Sequence, residues 1–558
     1  MIKLIKQKSM LLAVIALIMS IAMVLASCGG SSSGNTTTAA VAAETTAAAA
    51  TEAATTAAET TSAEGENMTL SVAVWDIAQG FPEDGSIDPM KQFFYDKFNV
   101  VIEPMGITWG DAAERYQVWS SSDSMPDISG GLDIVGQGRY FQWIEDGVVR
   151  ALPDNLSAYP MVDKYIKLPE TQAYGVDGKN YFLPRITYED VAWWAMDRGV
   201  FFRKDWMENL GLDYPKSTDE FVDMCIAFTF NDPDGNGVND TFGMTRSEIT
   251  IYSQNFACFG YHERFWQKID GIWTIPQATE RVIPLVDMAR RINKAGALDP
   301  DFITYTSTGP GDAVFSQGRA GVTLKQNTPG SVNTLRNLWM EYESEKEFLD
   351  CVEFLPMWDE PGMDTYRFSE RAFWSETYIG FQVDDAKMAR ILEIADWLYS
   401  TDGVMFMQYG FEGEDYKRDS NGDIEILLPI QENGVITPLS TKYPFAFMAS
   451  LIIWGGSQQQ YVDPRTPKVV RDFCAEERDY RIANWKDPEV SWVVGGLNVP
   501  EKQETTYNLG DLWSIILMDT SDKTTQELYE EFLVPELEAG GFNRMIDAVN
   551  EATQALGL

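Results

Sequence analysis

The chain has 558 residues, of which 43 are Lys or Arg and 84 are Asp or Glu, so its formal charge at pH 7 is −41. The acidic residues are spread along the chain, which argues against nucleic acid or an anionic surface as a partner and leaves solubility as the simplest explanation. A single histidine, His262, provides no partner for a Ser-His-Asp or Cys-His catalytic relay.

The N-terminal segment predicts export and a lipid anchor. Three lysines precede an apolar run over residues 10–26, and Leu-Ala-Ser-Cys-Gly at 25–29 resembles a bacterial lipoprotein cleavage motif. We expect residues 1–27 to be a removed signal peptide, with an uncleaved membrane anchor as the alternative, and Cys28 to carry a palmitate-type lipid. Residues 28–66 contain no aromatic residue and cannot form a core, which predicts a disordered tether on the outer face of the bacterial cell membrane.

The remaining cysteines are Cys225, Cys258, Cys351 and Cys474. They show no close, metal-type spacing, so we expect buried and inert thiols. Disulfides stay possible in an exported protein, and the sequence does not specify their connectivity.

From about residue 67 onwards the composition is that of a globular protein of roughly 490 residues, which exceeds one hydrophobic core and predicts two lobes. The pattern predicts a strand over Met68–Trp75, a helix over Pro89–Phe98 and a second strand over Val100–Pro104. A helix over Ala112–Ser120 and a strand near Ile128 continue it. This order predicts an α/β lobe with a mainly parallel sheet and helices on its faces.

Further elements follow along the chain. A turn at 177–184 leads into a short strand, and the aromatic segment 191–202 is predicted to be extended. Ser217 and Glu220 form a capping box at the start of a helix in a second lobe. The remaining predicted elements are helices near 283–292, over 385–399 and over 544–556, and a strand over 318–324.

A polar loop at 232–240 has the pattern of an EF-hand-type calcium site. Oxygen donors stand at positions 1, 3, 5 and 9, glycine stands at position 6, and the carbonyl at position 7 can contribute. Position 12 is Gly243 where a bidentate glutamate is usual, and an Asn-Gly turn is the alternative. We expect a weak structural calcium site, for which millimolar extracellular calcium suffices. The predicted ligands are Asp232, Asp234, Asn236, Val238 and Asp240.

A second polar segment, at 419–423, lacks this register. A hairpin turn is the better interpretation there.

Several segments together resemble a known family. They lie at 177–184, 202–206, 210–212, 215–221, 295–300, 318–321, 396–400 and 410–416. With the lipoprotein start and the calcium loop, they resemble the family 1 extracellular solute-binding proteins of ABC transporters, of the LplA/LipO type. In similar proteins a glutamate often follows the last aspartate of the calcium loop, where this chain has Thr241.

The resemblance implies a type II periplasmic-binding-protein fold, in which two α/β lobes joined by crossing hinge strands close on a ligand in the cleft between them. We expect one lobe to comprise 67–186 plus about 356–415, and the other 187–355 plus about 416–558. The resemblance also implies an oligosaccharide ligand, some relatives binding acidic ones, and ABC permease subunits in the membrane as partners. We expect a monomer.

Sugar ligands need aromatic platforms and side chains that form paired hydrogen bonds, and open α/β sheets bind ligands beyond the carboxyl ends of their strands. One of the two consecutive tryptophans at 193 and 194 is expected to point into the core. The residues that these positions predict to line the cleft are Trp75, Asp76, Arg185, Tyr188, Trp193, Trp194, Tyr261, Trp266, Lys325, Gln326, Asn327, Trp374 and Glu376.

Other functions remain open from the residues alone. The same fold can bind peptides or amino acids, and a surface adhesin is a further alternative. A glycosidase needs two placed carboxylates, which 84 acidic residues cannot disprove. Nothing in the sequence favours an enzyme, however, and no catalytic residue is predicted.

Overall fold

The computed structural model describes residues 67–558 except 109, 246–254, 261–264, 306–308, 344–345, 421, 432–435 and 453–457. The predicted signal peptide, Cys28 and tether therefore lie outside the described residues, as does Tyr261. Residues Glu66–Leu558 form one compact unit. No helix in the described part of the chain has both the length and the apolar composition that crossing a membrane requires.

The strands are β1 Met68–Ala73, β2 Val100–Pro104, β3 Ile128–Leu132, β4 Phe182–Ile186, β5 Gly199–Arg203, β6 Phe242–Met244, β7 Gln267–Ile269, β8 Ile272–Thr274, β9 Ala320–Lys325, β10 Val352–Phe354, β11 Phe373–Ile379, β12 Tyr416–Arg418 and β13 Ile424–Ile426.

The α-helices are α1 Pro89–Phe98, α2 Ala112–Ser121, α3 Gly138–Glu145, α4 Pro160–Ile166, α5 Pro169–Gln172, α6 Lys204–Asn209, α7 Thr218–Phe230, α8 Ile283–Lys294, α9 Gly309–Ser316, α10 Pro329–Tyr342, α11 Phe348–Cys351, α12 Asp385–Tyr399, α13 Thr401–Tyr409, α14 Leu439–Lys442, α15 Lys468–Asn484, α16 Trp492–Gly495, α17 Pro500–Glu504, α18 Leu509–Leu517, α19 Thr525–Leu528, α20 Val534–Ala539 and α21 Phe542–Leu556. A π-helical turn, Tyr529–Leu533, precedes α20. Short 3-10 helices include Ile77–Gly80, Val191–Met196 and Pro444–Leu451.

The first sheet has five strands in the order β2-β1-β3-β11-β4. Strand β1 is parallel to β2 and β3, and β11 is antiparallel to both β3 and β4. Four strands therefore run in one direction and β11 runs against them, as the prediction of a mainly parallel sheet requires. Parallel strands buried on both faces favour apolar runs, and β4 is buried along its whole length.

The second sheet has four strands in the order β10-β5-β9-β6. Here β5 is the strand that runs against the others, since it pairs antiparallel with β10 and β9 while β6 and β9 are parallel. The chain passes from β4 to β5 and returns from β10 to β11. In each sheet, the strand that arrives from the other sheet is thus the antiparallel one.

Three hydrophobic cores accompany these sheets. The first comprises buried residues from Leu70 to Ile186 and from Phe373 to Ile452. The second comprises residues from Val200 to Trp358 and from Val494 to Val549, and a smaller third core lies under α10 and α15. The predicted lobe boundaries remain a prediction, and segment 428–452 contributes to the first core. The four cysteines outside the N-terminal segment are buried and free, as expected of inert thiols.

Local signals predicted several elements correctly, and two details differ. The segment predicted to be extended over 191–202 begins with the 3-10 helix Val191–Met196, and only Gly199–Arg203 is a strand. At the start of α7 the Ser217 hydroxyl accepts from the Glu220 N–H at 3.2 Å, but the Glu220 carboxylate accepts from the Lys216 N–H instead of completing the box. Of the two hydrogen bonds of the predicted capping box, only the one accepted by the Ser217 hydroxyl is therefore present.

Helix α17 packs against α3, and it brings a buried lysine into the junction between the first and second cores. Gly138 allows this approach, because a Cβ there would lie 2.2 Å from the Lys502 carbonyl oxygen. The Lys502 ammonium donates to the Gly495 carbonyl at 2.8 Å and lies 5.5 Å from the ring of Trp266. Burial lowers the pKa of Lys502 to about 7, because the charged form loses its hydration.

Replacing Lys502 with Met removes the ammonium and keeps a long apolar side chain. Because the pKa of Lys502 falls from 10.5 to about 7 on folding, the unfolded chain binds more protons between these values, and wild-type stability rises with pH across that window. We expect Lys502→Met to have the higher free energy of unfolding near pH 7. This advantage should shrink as the pH rises, by at most about 1.4 kcal/mol per pH unit.

Urea titrations of both proteins across this pH window measure the difference. Lys179→Met, at an exposed lysine, is the control and should differ from the wild type by a constant amount. A difference for Lys502→Met that does not change with pH would contradict the explanation.

Candidate functional site

Three of the predicted cleft residues meet beyond the first sheet. Trp75 follows β1 and its ring lies against the backbone of Gly131, where an added Cβ would be 1.7 Å from Cζ3 of Trp75. The guanidinium of Arg185 lies 4.4 Å from the centre of the Trp75 ring, and the Trp374 ring meets Trp75 edge-on at 5.8 Å. We call Trp75, Arg185 and Trp374 the tryptophan cluster.

Internal hydrogen bonds of Arg185 hold the tryptophan cluster in place. Arg185 is fully buried and donates to the Ser375 hydroxyl at 2.6 Å and to the Ser450 carbonyl. Burial lowers the pKa of Arg185 to about 9, and the nearby Glu376 carboxylate acts in the opposite direction. Only Trp374 of the three is partly exposed, so it is the member of the cluster that a ligand can reach.

A buried ion pair joins β11 to the end of β3. Arg371 Nη2 lies 2.8 Å from Asp133 Oδ1 and 3.1 Å from Glu376 Oε1, and Arg371 also donates to the Trp374 carbonyl at 3.0 Å. Glu376 is fully buried and accepts from the Ile134 N–H at 3.1 Å. Burial raises the pKa of the Glu376 carboxyl, and the guanidinium of Arg371 opposes that rise.

The crossing from β4 to β5 is lined with aromatic residues. Tyr188 and Trp194 are buried with Phe368 in a small cluster, and Trp194 Nε1 donates to the Arg371 carbonyl at 2.9 Å. Trp193 is partly exposed, and the Arg478 guanidinium lies 4.5 Å from its ring centre. Trp194 is thus the member of the pair that points into the core.

Three further predicted residues lie in different surroundings. Asp76 is half-buried and left-handed (φ 58°) at the start of a 3-10 helix. Trp266 belongs to the second core, and Asn327 is fully buried against Gly199.

A cavity of about 1040 Å³ lies between α10 on one side and α13, α14 and segment 444–451 on the other. Lys325 and Gln326 at the carboxyl end of β9 line it, in agreement with the rule that ligands bind beyond strand ends. Eleven lining residues carry neutral hydroxyl or amide groups. They are Gln326, Thr328, Ser331, Asn333, Thr334, Asn337, Gln408, Thr437, Ser440, Gln460 and Thr466.

Hydrogen bonds hold part of this wall in place. Gln326 Nε2 donates to Asp197 Oδ1 at 3.0 Å, and the Ser331 hydroxyl donates to Gln326 Oε1 at 3.2 Å. Gly330 N–H at the start of α10 donates to Gln460 Oε1 at 2.9 Å. The wall presents polar groups whose orientation is set before any ligand arrives, which reduces the entropy lost on binding.

The charged lining residues are Asp197, Lys325, Arg336, Asp463 and Arg465. Each cation among them is paired. Lys325 pairs with Asp312, Arg465 Nη2 lies 2.6 Å from Asp463 Oδ2, and Arg336 Nη2 lies 3.3 Å from Glu347 Oε2. Burial raises the pKa of Asp312, and Lys325 opposes that change.

Residues 232–240 form an exposed loop after α7. The Gly237 N–H donates to the Asp232 carboxylate at 3.1 Å, and Asn236 Nδ2 donates to Asp234 Oδ2 at 2.8 Å and to Asp240 Oδ1 at 3.3 Å. Partial burial raises the pKa of Asp234, and the neighbouring carboxylates Asp240 and Asp232 add to the rise. The concentration of carboxylate and carbonyl oxygens matches calcium chemistry.

The departures from the calcium pattern have a structural reason. A Cβ at Gly243 would lie 2.1 Å from the Cys225 carbonyl oxygen of α7, so no glutamate fits at position 12. The Thr241 hydroxyl donates to the Phe228 carbonyl at 2.7 Å and fastens the loop to α7. Among the described residues, no group of three or more His, Cys, Asp or Glu side chains is gathered closely enough to hold a metal ion.

Curated relatives match part of the chain, and no protein-family profile matches it. Polygalacturonan/rhamnogalacturonan-binding protein YtcQ of Bacillus subtilis (strain 168) is 26% identical over 325 residues, covering 56% of this chain and 61% of that protein. Lipoprotein LipO of the same strain is 24% identical over 371 residues, covering 62% and 64%. Fructooligosaccharide ABC transporter substrate-binding protein FusA of Streptococcus pneumoniae serotype 4 is 30% identical over 148 residues, covering 23% and 25%. The chain thus spans less than two thirds of each relative.

The chain is thus similar in sequence to ABC transporter substrate-binding proteins such as FusA.

Solved structures agree on the fold. Alginate-binding protein AlgQ2 without calcium ion superposes with a TM-score of 0.64 at 16% identity, covering 88% of this chain and 98% of that chain. S. pneumoniae FusA in complex with kestose gives 0.59 at 17% identity, covering 88% and 99%. A FusA EF-hand mutant in complex with fructo-nystose gives 0.60 at 17% identity with the same coverage. The chain therefore shares the two-sheet α/β fold of these binding proteins.

Sequence reasoning missed Arg371 and Asp133. Asp133 directly follows β3, so the rule of strand carboxyl ends could have found it. No sequence pattern around Arg371 indicates its role. It pairs with Glu376, five residues away, and with Asp133, which is 238 residues away in the chain.

The contact between Trp75 and Gly131 predicts a sharp difference between two glycines of similar conformation. Gly131 has φ 79° and Gly85 has φ 72°, but only Gly131 has a ring where its Cβ would lie. Gly85→Ala should destabilise the protein by about 1–2 kcal/mol through the left-handed backbone alone. Gly131→Ala should cost a further ~1–3 kcal/mol, because Trp75 must move.

Urea unfolding measures both costs, and near-ultraviolet circular dichroism reports the tryptophan environment. Equal destabilisation of the two variants, with an unchanged tryptophan spectrum, would show that the Trp75 ring is not held against Gly131.

Proposed function

We propose that the chain is the substrate-binding component of an ABC importer, which captures an oligosaccharide and delivers it to the membrane permease. The observation that carries this proposal is the cavity of about 1040 Å³ with eleven neutral hydroxyl or amide side chains in its wall. Its size exceeds the usual range for drug-sized ligands, and hydroxyl and amide groups suit the paired hydrogen bonds that sugars form. The relatives named for polygalacturonan and fructooligosaccharide binding support the same ligand class.

The proposed mechanism is closure of the two lobes on the ligand. The cavity lies between elements of the first core and α10, so a ligand that contacts both walls stabilises the closed state and the permease can recognise that state. The proposed lobes follow the sequence boundaries, except that segment 428–452 is assigned to the first lobe, whose core it shares. Binding requires no catalytic residue, and we propose no enzymatic step.

The proposed ligand contacts are drawn from the predicted cleft residues. Lys325 and Gln326 line the cavity, while Asp76, Trp193 and Trp374 are partly accessible. The fully buried members, such as Arg185 and Glu376, act by positioning these groups.

A peptide or amino-acid ligand is the alternative. An amino acid brings an ammonium and a carboxylate, each of which needs an oppositely charged partner in a desolvated site. The cations in the cavity wall are paired with carboxylates of the chain, so the wall is better suited to a carbohydrate.

We further propose that loop 232–240 binds calcium and that Cys28 is the lipidated residue anchoring the protein at the outer face of the cell membrane. The oxygen donors of the loop support the first point, and the lipoprotein relative supports the second. At the loop, calcium neutralises the repulsion among Asp232, Asp234 and Asp240.

Binding of an oligosaccharide tests the main proposal. Titration of the purified chain with neutral and acidic oligosaccharides, and with peptides, should give a saturable change in tryptophan fluorescence for at least one oligosaccharide and none for peptides. Gln326→Ala should weaken that binding about tenfold, a loss of about 1.4 kcal/mol. Gln117→Ala, at an exposed glutamine of α2, is the control. Saturation by peptides alone would replace the carbohydrate proposal with the alternative.

Thermal unfolding tests the calcium proposal. A weak site with Kd of about 10⁻⁴–10⁻³ M should stabilise the protein by ~1.4–2.7 kcal/mol at a tenfold to hundredfold excess over Kd. The double variant Asp234→Asn with Asp240→Asn should lose this increase in Tm. Asp154→Asn, at an exposed aspartate elsewhere, should keep it. A Tm that calcium and chelator leave equal in the wild type would exclude the site.

A further inference from the structure

We infer that the oligosaccharide bound in the cavity is neutral and not a uronate, an inference that rests on the proposed function. The relatives named above include one named for an acidic polymer, polygalacturonan, and one named for fructooligosaccharides, which are neutral. The charges of the cavity wall indicate which of these two classes, acidic or neutral saccharides, fits the cavity.

Each cation of the cavity wall is already paired with a carboxylate of the chain. The side chains of Lys325 and Asp312 are 9% and 8% exposed, so this pair is desolvated. Arg465 Nε lies 3.0 Å from both carboxylate oxygens of Asp463, and Nη2 lies 2.6 Å from Oδ2. Arg336 pairs with Glu347 at 3.3 Å. A uronate that displaced Asp312 or Asp463, whose side chains are 8% and 12% exposed, would leave that carboxylate unpaired in a buried position. Glu347 is 62% exposed, so its pair with Arg336 is the weakest of the three.

The start of α10 is the next place where an anion could be held, because a helix N-terminus carries partial positive charge. There the Gly330 N–H already donates to Gln460 Oε1, a neutral acceptor. Thr328 at the N-cap is 4% exposed, lines the cavity and makes no side-chain cap bond. Its hydroxyl can bond a sugar hydroxyl without any charge on the ligand.

The remaining charges also disfavour an anion. The further carboxylate in the wall, Asp197, is paired with Arg198 and adds no positive charge, and the whole chain carries a formal charge of −41. Segments 432–435 and 453–457, which neighbour lining residues in the chain, contain no Lys or Arg in their sequence. The cavity therefore has polar groups for hydroxyls and no unpaired cation among the described residues that line it.

The direct test uses ligands that differ only in charge. Trigalacturonate and its fully methyl-esterified form share one skeleton, and a panel of kestose, nystose and neutral gluco-, galacto-, xylo- and manno-oligosaccharides extends the neutral set. Isothermal titration with the full mature chain should find a neutral oligosaccharide that binds at least about tenfold more tightly than any uronate. Its affinity should not fall at high salt, because no ion pair forms with the ligand.

A uronate that binds within tenfold of the best neutral sugar, or more tightly, overturns this inference and leaves the proposed function standing. Absence of binding by every oligosaccharide removes the proposed function and the inference together.

A pair of variants tests the physical reason. Asp463→Asn frees Arg465 in the cavity wall, and the affinity for trigalacturonate relative to its methyl ester should rise about tenfold. Asp487→Asn is the matched control, because it frees Arg367, whose Nη2 lies 2.6 Å from Asp487 Oδ2 and which does not line the cavity. An unchanged ratio in Asp463→Asn, or an equal rise in the control, contradicts the role assigned to the paired cations.

Discussion

The buried guanidinium of Arg371 links β11, the strand that returns from the second sheet, to the carboxyl end of β3 in the first sheet. It pairs with Asp133 at the end of β3 and with Glu376 inside β11. Such a pair contributes little net stability compared with an apolar contact, but removing one partner leaves an uncompensated buried charge, which is strongly destabilising. The position of β11 relative to β3 is therefore defined to within hydrogen-bond distance. Arg371 also donates to the Trp374 carbonyl, and its own carbonyl accepts from Trp194 Nε1, so both tryptophans are positioned by Arg371.

A second consequence follows from the same packing. Because Arg371 and Arg185 are held by internal partners, the tryptophan cluster presents an aromatic surface without presenting a free cation. The cavity beside α10 follows this pattern, since Lys325, Arg336 and Arg465 are paired within the chain. Polar groups with fixed orientation and neutralised charge favour recognition of a ligand by its shape and hydrogen bonds. A ligand of the wrong shape is disfavoured because it leaves a buried polar group without a hydrogen bond.

Much of the local structure could be predicted from the sequence. Helix Pro89–Phe98 and helix Asp385–Tyr399 have the predicted bounds, because their apolar spacing and capping residues are contained within the segments themselves. Segment 191–196 was predicted wrongly as extended. Its aromatic residues indicated a strand, but Asp190 caps a 3-10 turn that buries Trp194 beside Tyr188. Tertiary packing overrode the local preference.

The candidate site was less predictable than the elements that carry it. Lys325 and Gln326 line the cavity as strand-end residues, whereas Glu376, predicted on the same grounds, is buried behind Arg371. The cavity wall is formed largely by α10, residues 436–440 and residues 460–467. In the sequence, a polar residue in such a helix or loop cannot be told from a solvated surface residue. Only the approach of two distant segments makes these positions a site.

The sequence by itself determined the α/β fold class, many of the elements, the inert cysteines and the calcium-type loop pattern, because these depend on composition, periodicity and short spacings. The tertiary structure decided which charges are paired, which aromatic rings are covered and where the cavity lies. It also gave the reason for glycine at position 12 of the loop, where the Cys225 carbonyl of α7 leaves no room for a side chain. These properties depend on residues far apart in the chain, whose distances only the packed fold sets.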